Sequence, residues 1–244
     1  MSDEFYIGYE PEMPPSLAPR IRGTAIAIVA LSLLLAAVFV SAQDAFEDGW
    51  FDYGHPRPFE GQVVEYPFPA LEVEDAGATR MYWLVGPGKH GAAELVRGLD
   101  GRRVRLSGTP ITRDEERMIE VVRGSVVADA ATEAPHSPLR TIGAASFEGE
   151  IVDSKCHLGV MKPGRGPTHR DCAVRCLLGD VPPMIVTKEG GAARRIALVV
   201  MDSAAFDELL PSLAARPVRV RGLLLERGSQ LFLSTETSTI EVVG

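Results

Sequence analysis

The sequence is short of positive charge. Lysine and arginine number 25 against 33 aspartates and glutamates, a formal net charge of -8. A general nucleic-acid binder needs a dominant basic surface instead, so nucleic acid is not an expected partner. No P-loop, no dinucleotide fingerprint and no Ser-His-Asp order is read from the chain, and nucleotide and hydrolase chemistry accordingly rank low. Cysteine is scarcer still. There are three, and Cys156, Cys172 and Cys176 all fall between Asp153 and Gly179. Charge of either sign is missing from one stretch altogether, Thr24 to Ala42 (TAIAIVALSLLLAAVFVSA).

That stretch, about nineteen residues, is long enough to span a hydrocarbon core as a helix. Arg20 and Arg22 precede it, while Asp44, Glu47, Asp48 and Asp52 follow it. A basic flank stays in the cytoplasm, which puts the C-terminal bulk outside. Val40-Ser41-Ala42 also fits a signal-peptide cleavage site, but the apolar run exceeds a usual h-region and the segment before it exceeds a usual n-region. The expectation is a retained single-pass anchor over 24–42 in the cytoplasmic (inner) membrane, with extracytoplasmic domains in a compartment that permits disulfides. Residues 1–23 read as a cytoplasmic tail; Phe5, Tyr6, Ile7 and Tyr9 make it more apolar than a tail needs, which is the argument for a docking segment there. Residues 43–58 read as a juxtamembrane linker, with Trp50, Phe51 and Tyr53 suited to the headgroup level.

From Phe59 onward the sequence echoes itself. Phe59-Glu60-Gly61-Gln62-Val63-Val64-Glu65 returns as Phe147-Glu148-Gly149-Glu150-Ile151-Val152-Asp153, and Arg103-Val104-Arg105-Leu106-Ser107-Gly108 returns as Pro217-Val218-Arg219-Val220-Arg221-Gly222. Tyr82 to Val85 corresponds to Ala197 to Val200, and each is followed by a short helical stretch, Ala92 to Leu99 and Ala204 to Ala214. Apolar and polar residues alternate in the closing pairs, as on a half-buried sheet. Two strands, a short helix and a closing hairpin predict a small Greek-key barrel of the OB type. The expected fold class is therefore mainly β: an N-terminal transmembrane helix, then two tandem OB-like barrels over 59–130 and 147–244, joined by a linker over 131–146 containing Pro135 and Pro138. The second copy has gained about 26 residues, since Phe59 to Phe147 is a step of 88 and Arg103 to Pro217 a step of 114. The cysteine stretch, an insertion over about 154–180, lies in that excess. Loops added to a rigid scaffold are where binding and chemistry usually reside.

Within the insertion, Pro167, Thr168 and Asp171 predict a capped helix from about His169 to Leu178, stopped by Gly179. On that helix His169, Cys172 and Cys176 share a face. Cys156 and His157 come from the preceding strand end. Cys156, His157, His169, Cys172 and Cys176 are thus candidate ligands for a transition metal, a copper centre or an iron–sulfur cluster. Two of the thiols could instead form a disulfide, such as Cys156 with Cys172, which would leave one thiol over. Cys172 near a helix N-terminus is also a candidate redox nucleophile. Lys162, Arg165 and Arg170 flank the helix start and are candidate contacts for an anion or an acidic partner.

The string DSKCHLGVMKPG followed by HRDCAVRC resembles that of an uncharacterised family of bacterial membrane-anchored proteins; the resemblance covers chiefly the second barrel and implies no activity. Partial likenesses are narrower. Cys156-His157-Leu158-Gly159 resembles half of a Rieske site, but histidine is adjacent to the cysteine and Arg175 stands where the second histidine belongs. Cys172-x-x-x-Cys176 resembles the paired cysteines of binuclear copper centres and copper-delivery proteins, with Asp180 where the oxidase pattern has histidine. An anchor plus an OB barrel is similar to the haem chaperone of cytochrome c maturation, without its His-x-x-x-Tyr motif. The expectation that follows is a non-catalytic, membrane-anchored subunit or assembly factor of an electron-transfer complex, binding a metal or redox centre and contacting membrane-complex subunits. The alternatives are a disulfide-stapled OB-type interaction module without a cofactor and a thiol–disulfide oxidoreductase.

Overall fold

The structure, a computed structural model, describes residues 14–43, 49–75, 78–133, 136–187 and 194–243. The chain forms two compact units, residues 1–46 and 47–244. In the first, helix α1 (Ala18–Ser41) has 24 residues, no buried side chain and a mean hydropathy of 2.6 over its most apolar window. At 1.5 Å per residue it is about 36 Å long, enough to cross a bilayer. It starts before Thr24, so Arg20 and Arg22 ride on its first turns, and its early proline sits where a missing N–H is harmless. Phe5, Tyr6, Ile7 and Tyr9 lie outside the described residues, as do Asp44, Glu47 and Asp48.

The second unit makes the protein mainly β. Its first sheet contains β1 (Trp50–Phe51), β2 (Arg57–Val64), β3 (Ala70–Asp75), β4 (Ala78–Val85), β5 (Arg102–Arg113), β6 (Glu116–Val121) and β7 (Val127–Glu133), with helix α2 (Ala93–Val96) between β4 and β5. Strands β2, β3, β4, β6 and β5 hydrogen-bond in that order, and β5 returns to β2, which closes a five-strand barrel. The β4–β6 pairing is parallel and the others in the ring are antiparallel. The second sheet contains β8 (Arg140–Asp153), β9 (Pro183–Thr187), β10 (Arg194–Val200), β11 (Pro217–Arg227), β12 (Gln230–Thr235) and β13 (Ile240–Val242). Helix α3 (Arg170–Leu177) lies between β8 and β9, and α4 (Ser203–Leu213) between β10 and β11. Its pairings run β8, β9, β10, β12, β11 and back to β8, again with one parallel step, β10–β12.

Alternation explains what each strand buries. In β5, Val104 and Leu106 point into the first sheet's core while Arg103 and Arg105 face solvent; in β11, Val218 and Val220 do the same for the second. Strands β4 and β10 differ, because both their faces are covered. Leu84 packs inside the first sheet with Leu71 and Ile119, whereas Trp83 and Val85 point outward. Leu198 packs inside the second with Ile185 and Val218, whereas Ala197 and Val199 point outward. The outward sets meet in a third apolar cluster that also takes in Ile111, Met118, Leu225 and Phe232, with the Trp83 and Phe232 ring centroids 5.6 Å apart. A continuous apolar run is what a strand buried on both faces requires.

Two stretches expected as linkers carry strand. Residues 50–51 pair with β5, inside 43–58, and β8 begins at Arg140, inside 131–146. Neither announces itself by alternation: β1 is two residues long, and Ile142 at the start of β8 is exposed.

Candidate metal centre

Strand β8 delivers the site. From Ile151 to Gly159 every residue is buried, including Asp153, Ser154, Lys155 and His157. Polar side chains so placed cost free energy unless partnered. Asp153 accepts from the Cys156 backbone N–H at 2.8 Å through Oδ1 and from His169 Nε2 at 2.9 Å through Oδ2. Lys155 Nζ donates to the carbonyls of Gly86 at 2.8 Å and Gly88 at 2.6 Å, and pairs with Glu120. The chain then makes one π-helical turn over Cys156–Val160, which turns the Cys156 side chain toward α3.

Helix α3 supplies the other two sulfurs from successive turns. Cys156 Sγ lies 3.9 Å from Cys172 Sγ and 4.0 Å from Cys176 Sγ, and all three lie within 4.8 Å of one another. A disulfide needs about 2.05 Å, and the three thiols are free. Bonds of about 2.3 Å to a single ion would put sulfurs roughly 3.8 Å apart on a tetrahedron and roughly 4.0 Å apart on a planar triangle. The three cysteines could therefore hold one metal ion. They are too close together to serve as ligands on separate irons of a cubane cluster. Cys156 and Cys176 are buried and Cys172 is half-buried, so the Cys172 corner of the triangle reaches solvent.

That corner is occupied from the first sheet. Lys89 Nζ donates to Cys172 Sγ at 2.7 Å and lies 3.7 Å from Cys176 Sγ. Its loop, residues 86–91, is fixed on one side by the Lys155 ammonium and on the other by Gly91 N–H donating to the Gly179 carbonyl at 2.7 Å. The approach is so tight that a Cβ on Gly179 would stand 1.9 Å from the Lys89 carbonyl oxygen. Hydrogen bonding to Cys172, with the charges of Cys176 and Cys172 adding to it, raises the Lys89 pKa against the cost of burial, so it is an ammonium at neutral pH. The Cys156–Cys176 hydrogen bond, more than burial, pushes the Cys156 thiol up and the Cys176 thiol down.

The candidate ligands divide. Cys156, Cys172 and Cys176 come together. His169 groups with Cys156 and Asp153 rather than with all three sulfurs, and its Nε2–H is engaged by Asp153. It stands just ahead of α3, and no Thr168 side-chain cap is formed. His157 turns away: its Nε2 accepts from Arg195 Nε at 3.3 Å, and burial first, then Arg113, Arg195 and Arg165, push its pKa down to about 2. Lys162 is exposed, Arg165 is half-buried, and Arg170 donates to the Pro211 carbonyl, which ties α3 to α4.

Lys89, Asp153 and Lys155 are the functional neighbours that reading along the sequence passes over. The run Gly86-Pro87-Gly88-Lys89-His90-Gly91 is the available signal. It has the G-x-G-x-x-G spacing of a dinucleotide fingerprint, contrary to the absence inferred above. It lacks the setting that spacing requires, because α2 has four residues and β5, the strand after it, is not a parallel neighbour of β4. Here Gly91 admits close backbone contact with the cysteine insertion at Asp180. No family model, no curated protein and no solved structure matches this chain.

Proposed function

We propose that this protein is a membrane-anchored, extracytoplasmic metal-binding protein, acting as a subunit or assembly factor of an electron-transfer complex. A single thiophilic ion would be held by Cys156, Cys172 and Cys176. The observation that carries this reading is the spacing of the three sulfurs, 3.9 and 4.0 Å from Cys156, with Cys156 and Cys176 buried and Cys172 half-buried. Asp153 and His169 form a buried, hydrogen-bonded pair behind Cys156, in the manner of the outer partners that orient metal ligands. The arginines at the start of α1 and the acids after it favour an outward-facing bulk. The scaffold is read as two tandem OB-type barrels. In support, both sheets follow one circuit of pairings with a single parallel step, and each has a helix between its third and fourth barrel strands.

The test is metal content of the full chain, purified anaerobically in detergent. Stoichiometric metal is expected, lost in Cys156→Ser and in Cys172→Ser, with three alkylatable thiols in the metal-free protein before any reductant is added. A chain that takes up no ion, or that hides two thiols until reduced, would overturn it. The second outcome would mean a disulfide, which fits the stapled interaction module or, with the half-buried Cys172 beside the Lys89 ammonium as nucleophile, thiol–disulfide exchange.

A further inference from the structure

The three sulfurs have no fourth partner of the usual kind. Among the described residues, no imidazole, carboxylate or further thiol lies within 4.8 Å of all three. The side chain that covers the half-exposed Cys172 is Lys89, 2.7 Å from its sulfur and 3.7 Å from that of Cys176. An ammonium has three donors and no lone pair, so it cannot ligate a metal. It can donate to a metal-bound thiolate. It also repels the ion itself, and it repels a divalent ion more than a monovalent one. Zinc in closed protein sites takes four ligands, whereas soft thiolate sets also suit cuprous copper.

Resting on the metal-site reading above, we propose that Lys89 is a specificity-determining residue, which makes the site three-coordinate and biases it toward a monovalent thiophilic ion of the cuprous class over divalent zinc. The first sheet then has a part in the chemistry of a motif borne entirely by the second. Its loop is built to hold that charge in place. Lys155 is buried in order to grip Gly86 and Gly88, Gly91 bonds to Gly179, and glycine at 179 leaves no Cβ to hold the Lys89 backbone off. The three sulfurs all come from the insertion, whereas these contacts position the Lys89 loop against it.

The experiment compares the full chain in detergent with Lys89→Met, which keeps the length of the side chain and removes its charge, and Lys89→Arg, which keeps the charge. Cuprous and zinc affinities are measured by chelator competition, and sulfur neighbours are counted by X-ray absorption. The wild-type cuprous site should show three sulfurs and no oxygen or nitrogen neighbour. Lys89→Met should shift the cuprous-to-zinc affinity ratio toward zinc by about tenfold or more, a shift between the bulk-water and protein-surface limits for one unit charge about 4 Å away, and its zinc form should gain an oxygen neighbour from water. Lys89→Arg should hold the wild-type ratio. Metal binding with an unchanged ratio in Lys89→Met, at an unchanged thiol count and melting temperature, overturns the role of Lys89 and leaves the three-cysteine site standing. If the wild type binds neither ion, the site reading falls and this inference with it.

Discussion

At the scale of single residues, the buried ionisable groups around the cysteines, Asp153, Lys155 and His169, have partners built in, and Glu116 shows the margin where partnering is weaker. It stands at the start of β6, accepting from Trp83 Nε1 at 3.4 Å. Burial raises its pKa, and the Trp83 hydrogen bond and the Arg195 charge only partly offset that. The fold thus favours the neutral carboxyl. Its contribution to stability is full below the ordinary value of 4.5 and declines as the pH rises through the folded value. Glu116→Gln keeps an acceptor for Trp83 without a charge to bury. It should stabilise the protein by about 0.5 kcal/mol or more at pH 8, with the difference vanishing near pH 4, as measured by thermal unfolding at both values. A constant difference across that range would show that desolvation is not the cause. The cysteines were legible as a set because nothing else in the sequence concentrates soft donors. Lys89 was not, since a lysine between glycines reads as solvated until its neighbour across the fold is known.

At the scale of elements, the insertion and the 86–91 loop are two halves of one structure that happen to be 83 residues apart at the Lys89–Cys172 bond. Their fit depends on backbone approach at Gly179, which ends α3. Gly179→Ala would place a methyl group 1.9 Å from the Lys89 carbonyl oxygen, so the loop must move. Overpacking of this kind costs about 1–3 kcal/mol. The Gly91 amide, bonded to the Gly179 carbonyl, should lose protection from hydrogen exchange while the amides of α3 keep theirs. Retained protection at Gly91 would mean that the loop is not held there. The helix itself was readable from Pro167 and Gly179, and α3 falls within one residue of the expected bounds at each end. What the stretch could not reveal is the π-helical turn after Asp153, because such a turn has no periodicity of its own and follows from where Cys156 and Leu158 must pack.

At the scale of the whole molecule, the two sheets were expected as separate barrels joined by a linker, with the insertion added to one of them. The packing instead places Cys156, Leu158, Cys176 and Val181 in the same cluster as Trp83, Ile111 and Met118 from the first sheet and Phe232 and Leu225 from the second. The strands were legible by alternation; the seam was not, because an outward-facing Trp83 or Val199 looks like half of an ordinary buried strand. A shared core of this kind couples the halves, and coupled halves unfold together. Trp83→Ala removes the largest side chain in the seam and should cost about 3–5 kcal/mol. The decisive measurement is hydrogen exchange along a denaturant series, following amides of β2 to β6 and of β8 to β12 separately. Both sets should open at one midpoint in the wild type and at one lower midpoint in Trp83→Ala, even though the substituted residue belongs to the first sheet. If the second sheet kept its wild-type midpoint, the seam would be a contact between independent domains, and Lys89 would reach the sulfurs only for as long as those domains stayed docked.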